Sequence, residues 1–271
     1  MPIKGDKKAL VRDFWERASF GEEVYLRSLH LDGFAMQTRI RYALEPFILP
    51  FMGCDRTQGL AVLEVGIGLG ADHEQFARSG ARLTGIDLTK RAIELTTYRF
   101  QLLGLHSDLL SGDCELLPFF DSSFDHVYSW GVIHHTPNTQ QAAQEILRVL
   151  KPGGSFRIMI YNRRSMIGYM LWIRYALLRG RPLTSLDAIY ANHLESPGTK
   201  AFTPEEAKSL LAGASQIDLE VKLTHGDLLS SQAGQRHQGF LLRLARKIWP
   251  RWFIRRFLKE HGLFLLISGR K

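Results

Sequence analysis

The stretch Leu63-Glu64-Val65-Gly66-Ile67-Gly68-Leu69-Gly70-Ala71-Asp72 sets three alternate glycines after an apolar run and before a helix-like segment. That pattern predicts a buried strand turning tightly into a helix N-terminus, whose unpaired N–H groups can hold a nucleotide. Gly66, Gly68 and Ala71 also satisfy G-x-G-x-x-G/A, so a nicotinamide or flavin enzyme stays open at this point. A second apolar run, Arg82 to Asp87, ends in a carboxylate about 20 residues past the glycines, the spacing that holds ribose hydroxyls in either cofactor type. Further on, His134 and His135 close the run that begins at Ser123. Histidine titrates near neutral pH and can take a proton from a hydroxyl or an amine.

The later segments separate the alternatives. A third element ends Ser111-Gly112-Asp113-Cys114, a fourth reads Phe124-Asp125-His126-Val127-Tyr128-Ser129, and a helix then leads to Leu150-Lys151-Pro152-Gly153-Gly154. The ordered series E-x-G-x-G-x-G, G-I-D, G-D, F-D-x-V-x-S and L-K-P-G-G, over residues 59 to 161, resembles the class I S-adenosylmethionine-dependent methyltransferases, in particular their broad small-molecule group. The resemblance implies an α/β, doubly wound, Rossmann-like sheet of seven mostly parallel strands with an antiparallel last strand. It implies S-adenosyl-L-methionine as cofactor and S-adenosyl-L-homocysteine as product. By the same resemblance Glu64, Gly66, Gly68 and Gly70 cradle the methionine part, Asp87 takes the ribose and Leu88 walls the purine. Asp113 and the backbone at Cys114 meet the adenine edge, and Ser129 and Trp130 touch the methionine part. Cys114 has no activating partner in the sequence and reads as an inert thiol rather than a nucleophile.

Around this core the chain divides into an N-terminal helical cap over residues 1–57 and a methyltransferase domain over 58–271, with insertions at about 163–202 and 226–262. Leu10, Val11, Phe14 and Trp15 recur at helical spacing, and a further helix runs from Arg39 through Phe47 to Pro50. Tyr25 lies between them as a candidate contact for substrate or cofactor carboxylate, whereas Arg39 and Arg41 read as solvated surface arginines. Strand five, Ser155 to Tyr161, should deliver Tyr161 and Asn162 to the substrate side by the carboxyl-end rule. An apolar helix over 165–178, too short to span a bilayer, precedes a polar loop over 190–200. Such loops carry specificity, which makes His193 a candidate base and Glu195 a candidate substrate contact. Thr203-Pro204-Glu205-Glu206 reads as a helix start, and the last two strands are expected at Ile217–Leu223 and Leu263–Gly269.

Composition bounds the function. The 271 residues are 45% apolar and 23% charged, with a net charge of +8 and a pI near 9.6, which fits one folded α/β domain with an acidic partner. Two cysteines give neither a disulfide framework nor a zinc spacing, and no His, Asp and Glu cluster has metal-ligand spacing. The charged start, Met1 to Lys8, argues against an export signal, so a cytoplasmic setting is expected. Residues 240–261 interleave tryptophan and leucine with arginine and lysine, which suits contact with the inner face of a membrane or packing on the domain. The expected reaction is methyl transfer to a small, apolar or lipid-linked metabolite, hydrophobic or anionic, at oxygen, carbon or nitrogen. Three rivals stand behind it, one of them a non-catalytic binding protein that retains the fold. A nucleic-acid methyltransferase would use the basic charge but lacks an N/D-P-P-Y-type motif and any RNA-binding module, and a nicotinamide oxidoreductase leaves the later motifs unexplained. Substrate identity, the methylated atom and oligomeric state do not follow from sequence.

Overall fold

The computed structural model describes residues 6–230 and 247–271. Seven strands form one sheet: β1 (Ala61–Val65), β2 (Arg82–Asp87), β3 (Asp108–Ser111), β4 (Phe124–Trp130), β5 (Leu150–Tyr161), β6 (Gln216–Lys222) and β7 (Phe264–Arg270). Their order is β3-β2-β1-β4-β5-β7-β6, with β1 to β5 parallel and β7 antiparallel to both its neighbours. The winding direction reverses between β1 and β4, so the crevice beyond the carboxyl ends of those two strands is where such a sheet binds ligands.

Both faces of the sheet are covered, and β1 shows why. Val62 packs with Ile48, Met52, Phe76 and Phe100 on one face, while Leu63 and Val65 pack with Val127, Ile146 and Phe156 on the other. Alternate side chains of a strand point to opposite faces, so one apolar strand feeds two cores. The covering helices beside β1 and β2 are α5 (Ala71–Arg78) and α6 (Lys90–Leu103), and α7 (Thr139–Val149) lies opposite. Four helices precede the sheet: α1 (Lys7–Arg17), α2 (Glu22–Tyr25), α3 (Leu31–Leu44) and α4 (Ile48–Met52). Between β5 and β6 lie α8 (Met166–Tyr175), α9 (Leu186–His193) and α10 (Pro204–Leu210), and α11 (Arg251–Phe257) precedes β7.

Two ties, the first of them buried, fix the leading helices over the sheet. The Arg99 guanidinium of α6, 0% exposed, donates to Glu74 of α5 at 2.9 and 2.6 Å, to Gln37 of α3 at 3.1 Å and to the Leu69 carbonyl at 3.0 Å. The Glu16 carboxylate of α1 accepts from the backbone N–H of Lys90 and of Arg91, both at 3.0 Å, and so occupies donors that α6 leaves open at its N-terminus.

Three elements differ from expectation for local reasons. The helix expected from Arg39 to Pro50 is two, because α3 ends at Leu44 and Pro50 falls in the first turn of α4, where its missing N–H costs nothing. The polar stretch expected as a loop from Tyr190 begins inside α9, which Ser185 caps through Ala188 N–H and which buries Ile189 and Tyr190. β5 starts at Leu150, before Ser155, across a register shift opposite Phe124 and His126. Of the basic, aromatic stretch 240–261, residues 240–246 lie outside the described residues, and α11 starts directly after Pro250.

At α10 the expected start is a full capping box. The Thr203 hydroxyl accepts from Glu206 N–H at 3.3 Å, and the Glu206 carboxylate accepts from Thr203 N–H at 2.8 Å. Thr203→Ala should therefore lower unfolding stability by about 1 kcal/mol. An unchanged urea midpoint would show that the box contributes nothing.

Candidate functional site

The chain leaves β1 through Gly66, whose φ of +80° and whose N–H bond to the Ile86 carbonyl at 2.7 Å turn it back across β2. A Cβ there would stand 2.1 Å from the Val132 side chain, so only glycine fits. At Gly68 a Cβ would meet nothing of the protein within 4 Å, because that residue looks into open space. Gly70 instead turns toward Thr96 of α6, 2.9 Å from where its Cβ would be, and lines neither cavity described below.

Beside this turn lies a cleft of about 880 Å³, its open mouth included, within the range of small-molecule sites. Gly66, Gly68, Asp87, Leu88, Asp113 and Cys114 line it, with Trp130 and His135 at one end. Asp87 ends β2 and ties two turns together. One carboxylate oxygen accepts from the Thr89 N–H at 2.9 Å and its hydroxyl at 2.8 Å, and the other accepts from Gly68 N–H at 3.2 Å. Burial pushes its carboxyl up, while these hydrogen bonds hold it back. Ile86 and Leu88 give the cleft apolar walls, and burial pushes the Cys114 thiol up to about 12, which leaves it a protonated wall.

The N-terminal helix closes this cleft. Lys8, Val11 and Trp15 of α1 line it, and the Lys8 ammonium bridges Asp113 and Glu115. Burial works against that ammonium, but the bonds to Asp113 and Glu115 outweigh it and raise its pKa.

A second cavity adjoins the first and shares Trp15, Phe20, Trp130 and His135 with it. Arg41, Glu45, Glu64, Asp72, Tyr161 and Glu195 supply its polar lining, and Trp15, Phe20 and Phe264 its aromatic walls. Most of these polar groups answer one another. Asp72 takes both forks of Arg41, at 2.9 and 2.5 Å, and the hydroxyls of Tyr42 at 3.0 Å and Tyr128 at 2.9 Å. Glu64 meets His73 Nδ1 at 2.8 Å. Burial pushes the carboxyl of that pair well up and the imidazole down to about 3. Glu195 accepts from the Tyr161 hydroxyl at 2.7 Å and stands 3.3 Å from His135 Nε2. His135 Nδ1 in turn faces the hydroxyls of Ser196 at 2.8 Å and Thr199 at 3.0 Å.

Glu45 is the exception. It is 4% exposed and, among the described residues, its carboxylate meets no hydrogen-bond donor; His225 Nδ1 stands 3.9 Å away. Burial, with the charges of Asp72 and Glu195 adding to it and Arg41 opposing, pushes its pKa up to about 7. The folded value lies above the unfolded one, so Glu45 favours the fold below pH 4.5 and that contribution is lost as pH rises through 7. The charged and titratable groups around it are Arg41, Asp72, Glu195, His225, Tyr25 and Tyr161. Glu45→Gln should therefore raise stability by about 1–2 kcal/mol at pH 8 and by much less at pH 5, a smaller gain than the full shift because the cavity admits water. Equal midpoints for variant and wild type at pH 8 would contradict it.

Other residues singled out by sequence stand elsewhere. His134 is fully buried behind His135, its two ring nitrogens without partners among the described residues; burial first, then the charges of His135 and Lys200, keeps it neutral. His193 stacks on Tyr175 with ring centroids 4.0 Å apart, outside both cavities. The Asn162 amide is taken up by the carbonyls of Glu260 at 3.1 Å and Gly262 at 2.9 Å. Ser129 is fully buried within β4, and Tyr25 lines neither cavity, although the Glu45 charge reaches it. Arg41 corrects the surface reading: it is a cavity wall locked to Asp72. Its one sequence signal is the four-residue spacing to Glu45, which puts both on one helix face. Among the described residues, no group of three or more His, Cys, Asp and Glu is placed to hold a metal ion.

Comparison with known proteins places these motifs. A family model for a methyltransferase domain matches residues 63–158. Sterol 4-C-methyltransferase strm-1 of Caenorhabditis elegans is 33% identical over 102 residues, 37% of this chain and 30% of its own length. Demethylmenaquinone methyltransferase of Tropheryma whipplei is 36% identical over 135 residues, 48% of this chain and 55% of its own. The chain thus spans 30% and 55% of these two curated relatives. The structure of phosphoethanolamine N-methyltransferase 2 of Haemonchus contortus in complex with S-adenosyl-L-methionine has a TM-score of 0.60 at 17% identity, over 96% of this chain and 60% of that one. That likeness is one of fold.

Proposed function

We propose that the chain is a class I S-adenosylmethionine-dependent methyltransferase, a reading supported by the methyltransferase-domain match over residues 63–158, and that it transfers a methyl group from S-adenosyl-L-methionine to a small, apolar or lipid-linked metabolite. The observation that carries this reading is the pair of adjoining cavities that share Gly66, Gly68, Trp130 and His135, one lined by Asp113 and Asp87 and the other by Glu195. Its residues fit the cofactor. Asp87 presents a buried carboxylate to a ribose, Leu88 and Ile86 offer flat apolar contact to a purine, and Asp113 offers an acceptor to an exocyclic amine. Gly68 leaves the room that a side chain would take. When bound, the cofactor supplies a methyl group already activated by its sulfonium, so the protein's task is to align an acceptor and keep water out.

His135 is the group we assign to take the acceptor's proton. Two hydroxyls hold its Nδ1, and Nε2 is left toward Glu195 and the cavity. His134 lies behind it and supplies packing. The aromatic walls favour an apolar acceptor body, and the two curated relatives, named for a sterol and a demethylmenaquinone, support that choice. Calorimetric titration with S-adenosylhomocysteine tests the reading. Binding with one site per chain is expected, and a silent titration, or saturation by a dinucleotide instead, would overturn it.

We also infer contact with an anionic membrane surface through the described part of 240–261. On and beside α11, Ile248 and Trp252 are 75% and 73% exposed, next to the exposed Arg255, Arg256 and Lys259. Co-sedimentation with phosphatidylglycerol vesicles at low salt is expected. Removal of Trp252 and both arginines should abolish it, and wild type left in the supernatant would sink this inference.

A further inference from the structure

We propose that Glu45 and Glu195, at the acceptor end of the second cavity, select a methyl acceptor carrying a protonated amine on an apolar body. The inference deepens the methyltransferase reading and rests on it.

The argument begins with what each carboxylate lacks. Asp72 is saturated by Arg41 and two tyrosine hydroxyls, and Glu64 is hydrogen-bonded to His73. Glu195 has one donor in Tyr161 and a second neighbour in His135. Glu45 has none among the described residues, although it is 96% buried and lines the cavity. His225 does not supply the missing charge, because burial lowers its pKa and its Nδ1 finds no hydrogen bond. A buried carboxylate without a donor is costly, so the missing donor belongs to whatever fills the space.

The chemistry of that donor follows from the rest of the lining. Arg41, the cavity's guanidinium, gives Nε and Nη2 to Asp72, so its charge is already paired and an anionic head would meet that ion pair beside two further carboxylates. A hydroxyl would satisfy one oxygen and bring no positive charge to a cavity in which the Glu195 charge already bears on Glu45. An ammonium group answers both, and Trp130 set edge-on to Phe264 at 5.5 Å between ring centroids adds electron-rich ring surface beside it. The reaction then balances. An amine nitrogen that has given its proton to His135 uses its freed pair to form the bond to the methyl carbon, and the pair of the breaking carbon–sulfur bond returns to sulfur, which becomes neutral.

Calorimetry on the protein saturated with S-adenosylhomocysteine tests this with three probes of one chain length: n-hexylamine, 1-hexanol and hexanoate. Hexylamine should bind at least about tenfold more tightly than hexanol, and hexanoate should not compete. Glu45→Gln should erase the preference for the amine, and Glu45→Asp should keep it in part. Equal affinity of amine and alcohol for wild type, or an unchanged preference in folded Glu45→Gln, overturns the inference. So does a loss of more than about tenfold in S-adenosylhomocysteine affinity in Glu45→Gln, which would give Glu45 to the ligand's own amino group. Wild type that fails to take S-adenosylhomocysteine at all overturns the methyltransferase reading, and this inference falls with it.

Discussion

Replacing Asp87 with asparagine is expected to weaken S-adenosylhomocysteine binding by about a hundredfold while the sheet stays folded. The carboxylate is proposed to accept two ribose hydroxyls, and exchanging charged for neutral acceptors gives up about 1–1.5 kcal/mol per bond. The amide also harms the turn. Asparagine can keep an oxygen toward the Thr89 N–H and hydroxyl, but its NH₂ would then face the Gly68 N–H, two donors where Asp87 now accepts at 3.2 Å. Paired calorimetry and thermal unfolding check the prediction, and an affinity within threefold of wild type would remove Asp87 from the ribose site.

The second large effect is on turnover. His135→Asn should lower kcat by about 10² to 10⁴, the range of general base catalysis, and leave S-adenosylhomocysteine affinity within a few-fold. Asparagine can still hydrogen-bond Ser196 and Thr199, so the fold around the loop after α9 should hold, and what disappears is the imidazole nitrogen that faces the cavity. The pH profile separates this from a packing defect. Loss of an essential base removes the acidic limb of kcat, whereas displaced neighbours would scale the whole curve. A variant as active as wild type would show that the acceptor arrives already deprotonated.

What could be read from sequence was local. The glycine turn, the carboxylate that ends β2 and the capping box at Thr203 each depend on residues a few positions apart, whose backbone demands are met within one turn. Arg41, Glu45 and the partners of His135 depend on packing. Asp72 lies 31 residues from Arg41, and Ser196 and Thr199 lie 61 and 64 residues from His135. No periodicity announces such pairs. His193 misleads for the converse reason: a histidine in a polar stretch looks available, yet α9 presents it to Tyr175. Asn162 misleads likewise, because the carboxyl-end rule gives the strand end but not the side-chain direction, and its amide serves the segment that leads into β7.

Lys8 carries a kinetic consequence. Its ammonium sits on the same Asp113 that a purine's amino group would claim, on a helix laid across the mouth of the cleft. Arrival of the nucleoside and seating of that helix are then rival events, and neither completes until the other yields. If Asp113 takes the purine, exchange should wait on release of that ammonium, and dissolved salt, which weakens a partly exposed ion pair, should quicken it.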